Sequence, residues 1–356
     1  MNLSDKQLLN DLLQNDYLKI KEKNHQRTWE YFHAQYHNAF CILLEVSKQK
    51  KYLTNRNFMP FLFLMRHSLE LFLKNEIAKL PNVEIPNHHK IVELYNVAHI
   101  NNNAFLELPA CLKCDSEGDC WRYLSDKEGN RYFNNGEVIK AFDACNYYCS
   151  FLYGDNSLTE NSTDTKFQWE LTFHTRECDT LGIVGTQYDF ATSTILDAIR
   201  KKHISINDVY LPLLFLLRHC LEIKLKAAIS ELKSIVAKKD LHKAQRTHSV
   251  KILYDILFKD IGIKIEKIED DKFRKESIRL CEATKHYKDV IQSLDANSYL
   301  FRYPTDKSGG ISNFLPNPDC VSKILKLYWE SDPFLCFGSD ILHEAGVLNI
   351  GDDKSI

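Results

Sequence analysis

The sequence predicts an all-α protein made of two tandem helical bundles that are related by internal duplication. Residues 58–80, FMPFLFLMRHSLELFLKNEIAKL, recur at 210–232 as YLPLLFLLRHCLEIKLKAAISEL, without a gap. Both segments are rich in Leu, Glu, Lys and Ala, which favour helix, and both have an early proline, which suits the first helical turn. Apolar residues surround most of each helix, as expected of a helix buried at the centre of a domain.

The repeat divides the 356-residue chain into two domains of ordinary size. We predict a first helical domain at 1–153, a linker at 154–166, a second helical domain at 167–343 and a tail at 344–356. The linker sequence, GDNSLTENSTDTK, is rich in Ser, Thr, Asn and Asp, which are common in loops.

Further helices are predicted from apolar residues that recur at helical spacing. They are at 24–49, 136–152, 171–201, 265–294 and 319–335. The segment LGIVGTQYD is expected to interrupt the helix at 171–201. The charged helix at 265–294 has no counterpart in the first half, so it marks the place where the two halves differ most.

The overall charge of the chain is not that of a typical nucleic-acid-binding protein, because the net charge is −2 and the pI is near 6.7. Any contact with nucleic acid would have to come from a local basic patch. The best local candidate for contact with RNA phosphates is the basic helical segment 224–248, whose cations would otherwise line a solvated face. No signal-peptide pattern or bilayer-spanning apolar run is present, so a cytoplasmic protein with reduced cysteines is expected.

Four polar side chains share one stripe on each central helix. They are Arg66, His67, Glu70 and Lys74 in the first copy, and Arg218, His219, Glu222 and Lys226 in the second. Charged side chains on an apolar helix are costly to bury unless they pair. One interpretation is therefore structural, with each glutamate satisfying the cations beside it. The other is that the stripe faces a cleft, where Arg and His act on a phosphate or a scissile bond.

Other polar residues recur outside the central helices. They are His89 with His248, Arg122 with Arg302, and Asp126 with Asp306. Each histidine either caps a helix or joins the polar stripe. The Arg and Asp pairs lie in WRYLSDKEG at 121–129 and FRYPTDKSG at 301–309, where the final Gly can adopt a positive φ. One interpretation is a structural clasp, in which the Arg pairs with the glutamate of the central helix and the Asp caps the turn.

A metal site has one candidate in the sequence, the cysteine cluster Cys111, Cys114 and Cys120. These residues are either zinc ligands or free thiols. No glycine-rich phosphate loop, GxSxG elbow or HExxH motif is present, so no cofactor is predicted.

The order of these features resembles the HEPN superfamily of small helical bundles. The resemblance rests on RHSLELFLK and RHCLEIKLK, the helices that open with histidine, and the aromatic-Arg-Tyr turns, and it covers 57–152 and 209–335. Many HEPN proteins are metal-independent endoribonucleases with an Arg-x4-6-His motif that is duplicated across a dimer interface. That spacing occurs here at Arg279 and His286, and at Arg27 and His33.

The resemblance implies an RNA-targeting protein of a prokaryotic defence or toxin system. In RNA cleavage the 2′-OH of the RNA would attack the phosphate, with a His as general acid or base and an Arg stabilising the transition state. The candidate catalytic residues are Arg66, His67, Arg218, His219, Arg279 and His286. The alternative is a noncatalytic HEPN-like module that binds a nucleotide or a partner protein. Expected partners are RNA, a protein of the same system and a second copy of the chain, with no membrane.

Overall fold

The computed structural model describes most of the chain. The described residues are 8, 10–13, 17–20, 27–49, 57–98, 118–126, 128–133, 138–153, 172–174, 180–282, 287–296, 299–305 and 320–348. Within them the protein is all-α, as predicted. A single two-stranded antiparallel sheet pairs Val138–Lys140 (β1) with Thr172–His174 (β2) in these ranges.

The bounds of eleven α-helices are described. They are α1 (Trp29–Gln49), α2 (Phe58–Ala78), α3 (Ile91–Ala98), α4 (Ala141–Tyr153), α5 (Leu181–Arg200), α6 (Tyr210–Glu231), α7 (Lys238–Arg246), α8 (Val250–Ile265), α9 (Asp271–Glu282), α10 (Lys288–Ala296) and α11 (Cys320–Glu344). The two repeated segments are helices α2 and α6. Both are buried along nearly their whole length, which explains their apolar circumference.

The chain forms two compact units, of which the first comprises residues 21–216 and 299–315. In this unit α1 packs along α2, and α5 packs on both helices. Helix α4 packs against α2, and the ring of Phe61 on α2 lies 5.1 Å from that of Phe40 on α1. Aromatic side chains therefore form much of the core around α2.

The second unit comprises residues 1–20, 217–298 and 316–356. Helix α8 contacts α7, α9 and α10, and α11 contacts α9 and α10. The ring of Phe258 on α8 stacks between Tyr254 and Phe334, at centroid distances of 4.9 Å and 5.2 Å. This unit is also a helical assembly with its own apolar core. The domain boundaries predicted from the repeat remain a prediction.

Two predicted helices begin at different residues in the structure. Helix α5 begins at Leu181 because the Thr180 side chain caps it, accepting a hydrogen bond from the Ile183 N–H at 3.3 Å. The LGIVGTQYD segment forms the first half of α5 and does not interrupt it. The predicted helix at 136–152 is preceded by strand β1, so its helical part is α4.

The charged segment predicted as one helix at 265–294 contains α9 and α10, and its helical part begins at Asp271 and not at 265. The Asp270 carboxylate accepts a hydrogen bond from the Phe273 N–H at 2.7 Å and thereby starts a new helix. The basic segment 224–248 is divided as well, because α6 ends at Glu231 and α7 begins at Lys238. Helix α11 continues past the predicted end at 335 to Glu344. None of the helices in the described ranges has the length and apolar character needed to cross a membrane.

Candidate functional site

The polar stripe of α2 closes around Glu70, together with one residue from beyond the helix. Arg66 Nη1 lies 2.8 Å from Glu70 Oε2, and Lys74 Nζ lies 3.1 Å from Glu70 Oε1. His89, which precedes α3, places its Nδ1 2.8 Å from Glu70 Oε1. Arg66 also donates to the His89 carbonyl oxygen and so fixes the backbone that carries the ring. We call Arg66, His67, Glu70, Lys74 and His89 the first polar set.

The second unit contains the same arrangement on α6. Arg218 Nη1 lies 2.8 Å from Glu222 Oε2, and Lys226 Nζ lies 3.2 Å from Glu222 Oε1. His248 Nδ1 lies 2.9 Å from Glu222 Oε1, and Arg218 donates to the His248 carbonyl oxygen. We call Arg218, His219, Glu222, Lys226 and His248 the second polar set. Each contact in this set matches one in the first set to within 0.1 Å.

Both glutamates are fully buried and ionised. Burial raises the pKa of Glu70, but Lys74 and His89 outweigh this effect, so the pKa is well below the usual value. Burial likewise raises the pKa of Glu222, and the hydrogen bond from His248 and the charge of Arg218 bring it well below the usual value. The pairing expected from the structural interpretation of the stripe is therefore present in both sets.

His67 is enclosed by aromatic rings and has no access to a ligand. Its ring stacks on Phe63 at 5.4 Å and meets the ring of Tyr36 edge-on at 4.5 Å. Its Nε2 donates to the Arg302 carbonyl oxygen at 3.2 Å, so its lone pair lies on Nδ1, 3.8 Å from Glu70 Oε2. Burial lowers the pKa of His67 to about 4. This histidine is a neutral core residue at neutral pH.

His219 occupies the equivalent place in the second set. It is fully buried, and its Nδ1 lies 3.9 Å from Glu222 Oε2. Arg66 and Arg218 each donate to the glutamate and to a backbone carbonyl, and both residues are buried. The four predicted catalytic residues on the central helices thus lie in the interior.

His89 is the more accessible histidine of the first set, with 28% of its side chain exposed. The ring of Tyr303 stacks on it at 5.5 Å, and the Tyr303 hydroxyl lies 3.0 Å from His89 Nδ1. Because the Glu70 carboxylate only accepts hydrogen bonds, Nδ1 carries the proton and Nε2 carries the lone pair of the neutral ring. The glutamate therefore fixes the tautomer that a general base requires.

His248 is more exposed than His89, with 52% of its side chain accessible to solvent. Its Nδ1 is held by Glu222 in the same way, so its Nε2 also carries the lone pair. Helix α7 ends at Arg246, two residues before His248. A histidine that is oriented by a buried carboxylate and open to solvent is equipped to transfer protons to a ligand.

Arg122 does not make the predicted ion pair with the glutamate of the central helix. It pairs with Asp119 and donates to the Gly118 carbonyl oxygen at 2.9 Å, because the short turn at 118–122 brings these partners closer than Glu70. Asp126 caps its turn as predicted, accepting hydrogen bonds from the N–H groups of Glu128 and Asn130 at 3.0 Å and 2.8 Å. Gly129 has a φ of 90°.

Arg302 likewise pairs with no central-helix glutamate among the described contacts. Its guanidinium lies over the rings of Phe215, Tyr299 and Tyr303 at 5.8, 5.9 and 5.3 Å. Cation–π contact therefore replaces the expected ion pair. Asp306 lies outside the described residues.

Of the two Arg-x4-6-His motifs, the one at Arg27 and His33 lies wholly within the described residues. Arg279 is exposed and pairs with Glu276 at 2.5 Å, while His286 lies outside the described residues. Arg27 donates to the carbonyl oxygens of Leu300, Tyr303 and Pro304 at 2.8 to 3.1 Å. It thereby anchors the turn that carries Tyr303.

His33 makes contacts of a different kind from those of Arg27. Its ring lies 5.4 Å from that of Phe72, and burial lowers the pKa of His33 to about 4. Arg27 and His33 therefore serve separate parts of the core.

Of the predicted metal-ligating cysteines, Cys120 is buried as a free thiol, and Cys111 and Cys114 lie outside the described residues. No group of three or more His, Cys, Asp or Glu side chains in the described ranges could hold a metal ion.

Sequence reasoning missed the residues that cover the first set. Lys74 Nζ lies over the rings of Tyr303 and Trp29, at 5.0 Å and 5.5 Å. Gly118 has a φ of 75°, and a Cβ at this position would lie 3.4 Å from Arg66 Nη1. The glycine was a visible signal, but its placement depends on the tertiary structure.

Comparison of the chain with family models, with curated proteins and with solved structures gives no match.

Proposed function

We propose that this chain is an RNA-targeting protein of the HEPN kind that cleaves RNA without a metal, and that His89 and His248 carry the proton transfers. One observation carries the proposal. Each of these histidines has its Nδ1 held by a buried glutamate, at 2.8 Å and 2.9 Å, while its side chain remains in contact with solvent. The proposal therefore moves the proton-transfer role from His67 and His219 to the histidines beyond the central helices.

The chemistry needs a proton acceptor and a positive field. The neutral ring would accept the proton of the RNA 2′-OH at Nε2 as that oxygen attacks the adjacent phosphorus atom. The 5′-oxygen of the next nucleotide leaves and takes up the proton that Nε2 has gained, so the ring returns to its neutral form and a 2′,3′-cyclic phosphate remains. Each polar set holds two cations and one carboxylate, so its net positive charge favours an anionic phosphate.

The other members of each set act as positioning residues. Arg66 and Arg218 donate to the carbonyl oxygens of the two histidines and fix their backbone. Lys74 and Lys226 help to keep the glutamates ionised. With the glutamate charged, the proton stays on Nδ1 and the lone pair on Nε2.

The resemblance to HEPN proteins extends the proposal to the biological setting. We place the protein in the cytoplasm, as part of a prokaryotic defence or toxin system, with a partner protein or a second copy of the chain as further partners. The internal duplication of a HEPN-like bundle would supply two sites in one chain.

A second candidate function is a noncatalytic module that binds a nucleotide or a partner protein. Two observations favour it. Both glutamates pair with the cations of their own set, and His67 and His219 are buried. In that case the two polar sets stabilise the helices and carry out no reaction.

The test is incubation of the purified protein with total cellular RNA and with tRNA in EDTA. The double variant His89→Ala/His248→Ala should lose activity by roughly a hundredfold or more, the usual contribution of a general acid or base. The matched control is His88→Ala/His203→Ala, which removes a half-buried and an exposed histidine outside the sets. Products ending in 2′,3′-cyclic phosphate that disappear only in the first variant support the proposal. Wild-type protein that binds a nucleotide and cleaves no RNA would favour the noncatalytic module.

A further inference from the structure

Helix α7 presents an exposed row of cations directly before His248. The exposed basic side chains of this helix are Lys238, Lys239, Lys243 and Arg246, with His242 between them. Residues 239, 242, 243 and 246 follow the spacing i, i+3, i+4 and i+7, so they share one face of the helix. Ala244 is buried, in keeping with the packing of the helix on α8.

These cations have no acidic partner among the described residues. No carboxylate in the described ranges lies within 4 Å of Lys238, Lys239, Lys243 or Arg246. The acidic residue of the helix, Asp240, is engaged by Lys259 of α8 at 3.2 Å. The positive charge of this face is therefore available to an external anion.

Helix α9 of the same unit also carries several cations, but most of them pair with carboxylates of the same helix. Its cations Arg274 and Lys275 both pair with Asp271, and Arg279 pairs with Glu276. Those pairs neutralise the helix surface locally. Of these two helices, α7 has the larger excess of positive charge, with four cations and one carboxylate against four cations and three carboxylates in α9.

The first half of the chain has no such helix at the equivalent place. The segment between α2 and His89 contains Lys79, which pairs with Glu76 at 2.6 Å, and the acidic residue Glu84. It forms turns and extended backbone and not a helix. Between the central helix and the recurring histidine the second half is seven residues longer, and α7 lies in this longer segment.

We infer that α7 is the docking surface for the phosphate backbone of single-stranded RNA, which it directs toward His248. The inference rests on the proposed function and names the unit that engages the RNA. A row of unpaired cations attracts consecutive phosphates, and their release of counterions makes binding depend on salt. The exposed His248 lies two residues beyond the last cation of the row, where the bound strand would pass.

The experiment measures binding separately from cleavage. The probe is a fluorescein-labelled single-stranded RNA with 2′-O-methyl groups, which lacks the attacking 2′-OH, and its anisotropy is followed at several salt concentrations. The test variant is Lys239→Gln/Lys243→Gln/Arg246→Gln. The control is Arg274→Gln/Lys275→Gln/Arg279→Gln, which removes the same charge from α9. Glutamine preserves helix propensity at all six positions.

The test variant should bind roughly tenfold more weakly at physiological salt, and the slope of log K against log salt should fall by about 2. The α9 variant should stay within about twofold of the wild type because its cations are already paired. Equal weakening in both variants, no weakening in either, or no binding by the wild type would each overturn the inference. Binding through α7 without cleavage of ordinary RNA would leave the inference standing and refute the nuclease activity.

Discussion

The first and second polar sets have the same internal contacts but different surroundings. The distances from glutamate to arginine, lysine and histidine agree to within 0.1 Å, whereas the exposed fraction of the histidine rises from 28% at His89 to 52% at His248. Tyr303 covers His89, and a basic helix leads to His248. The same arrangement of side chains is therefore more covered in the first unit and more open in the second.

The agreement between the sets follows from helix geometry. Arginine, glutamate and lysine at i, i+4 and i+8 meet on one face whatever surrounds the helix, so both copies make the same pairs. The difference between the sets comes from what other segments bring to that face. Substitutions inside a set act on the first contribution, and substitutions in the segments that cover it act on the second.

The largest effect is expected from Glu70→Gln and from Glu222→Gln. Each change leaves a buried arginine and lysine without their compensating charge, which should lower the free energy of unfolding by about 3–5 kcal/mol. Urea unfolding measures both variants. Glu76→Gln is the control on α2, because Glu76 pairs at the surface with Lys79 and should cost less than about 1 kcal/mol. A small effect at Glu222 beside a large one at Glu70 would show that the second set is not structurally equivalent.

The pairing within each set could be predicted from the sequence because it is local. The spacing of Arg66, Glu70 and Lys74 on one helix required no knowledge of the fold. The contact between Tyr303 and His89 could not be predicted, since it joins residues 214 positions apart. The start of α9 was only partly predictable. Asp270 and Asp271 are typical of a helix start, but the charged pattern continues across them, so the sequence predicted one helix from residue 265.

The pH dependence of stability is expected to report on the enclosed histidine of the first set. Burial lowers the pKa of His67 in the folded state to about 4, whereas the unfolded chain has the ordinary value near 6.5. Above pH 6.5 both states are neutral at this residue. As pH falls from 6.5 toward 4, the unfolded state gains the proton first, so folding loses about 3 kcal/mol.

The variant His67→Phe should make the loss of stability over this pH range smaller, and His33, whose pKa burial also lowers to about 4, should account for part of what remains. Loss of the hydrogen bond to the Arg302 carbonyl should lower stability at pH 7 by about 1 kcal/mol. Unfolding measured at half-unit steps of pH tests this. An unchanged slope would mean that His67 takes up protons in the folded protein. The matched variant His219→Phe shows whether the second set holds its buried histidine in the same state.

The smallest effect is expected from Tyr303→Phe, which probes the cover of the first set. The change keeps the ring stacked on His89 and removes the hydroxyl that lies 3.0 Å from Nδ1, at a cost of about 1 kcal/mol.

Acylation of histidines by diethyl pyrocarbonate, followed by peptide mass spectrometry, reports the accessibility of His89 with His248 as the internal standard. His248 should react faster in the wild type, and Tyr303→Phe should change that ratio little, because the ring remains in place. Tyr303→Ala should bring the rate at His89 toward the rate at His248. Equal rates in the wild type would show that Tyr303 does not distinguish the two sets.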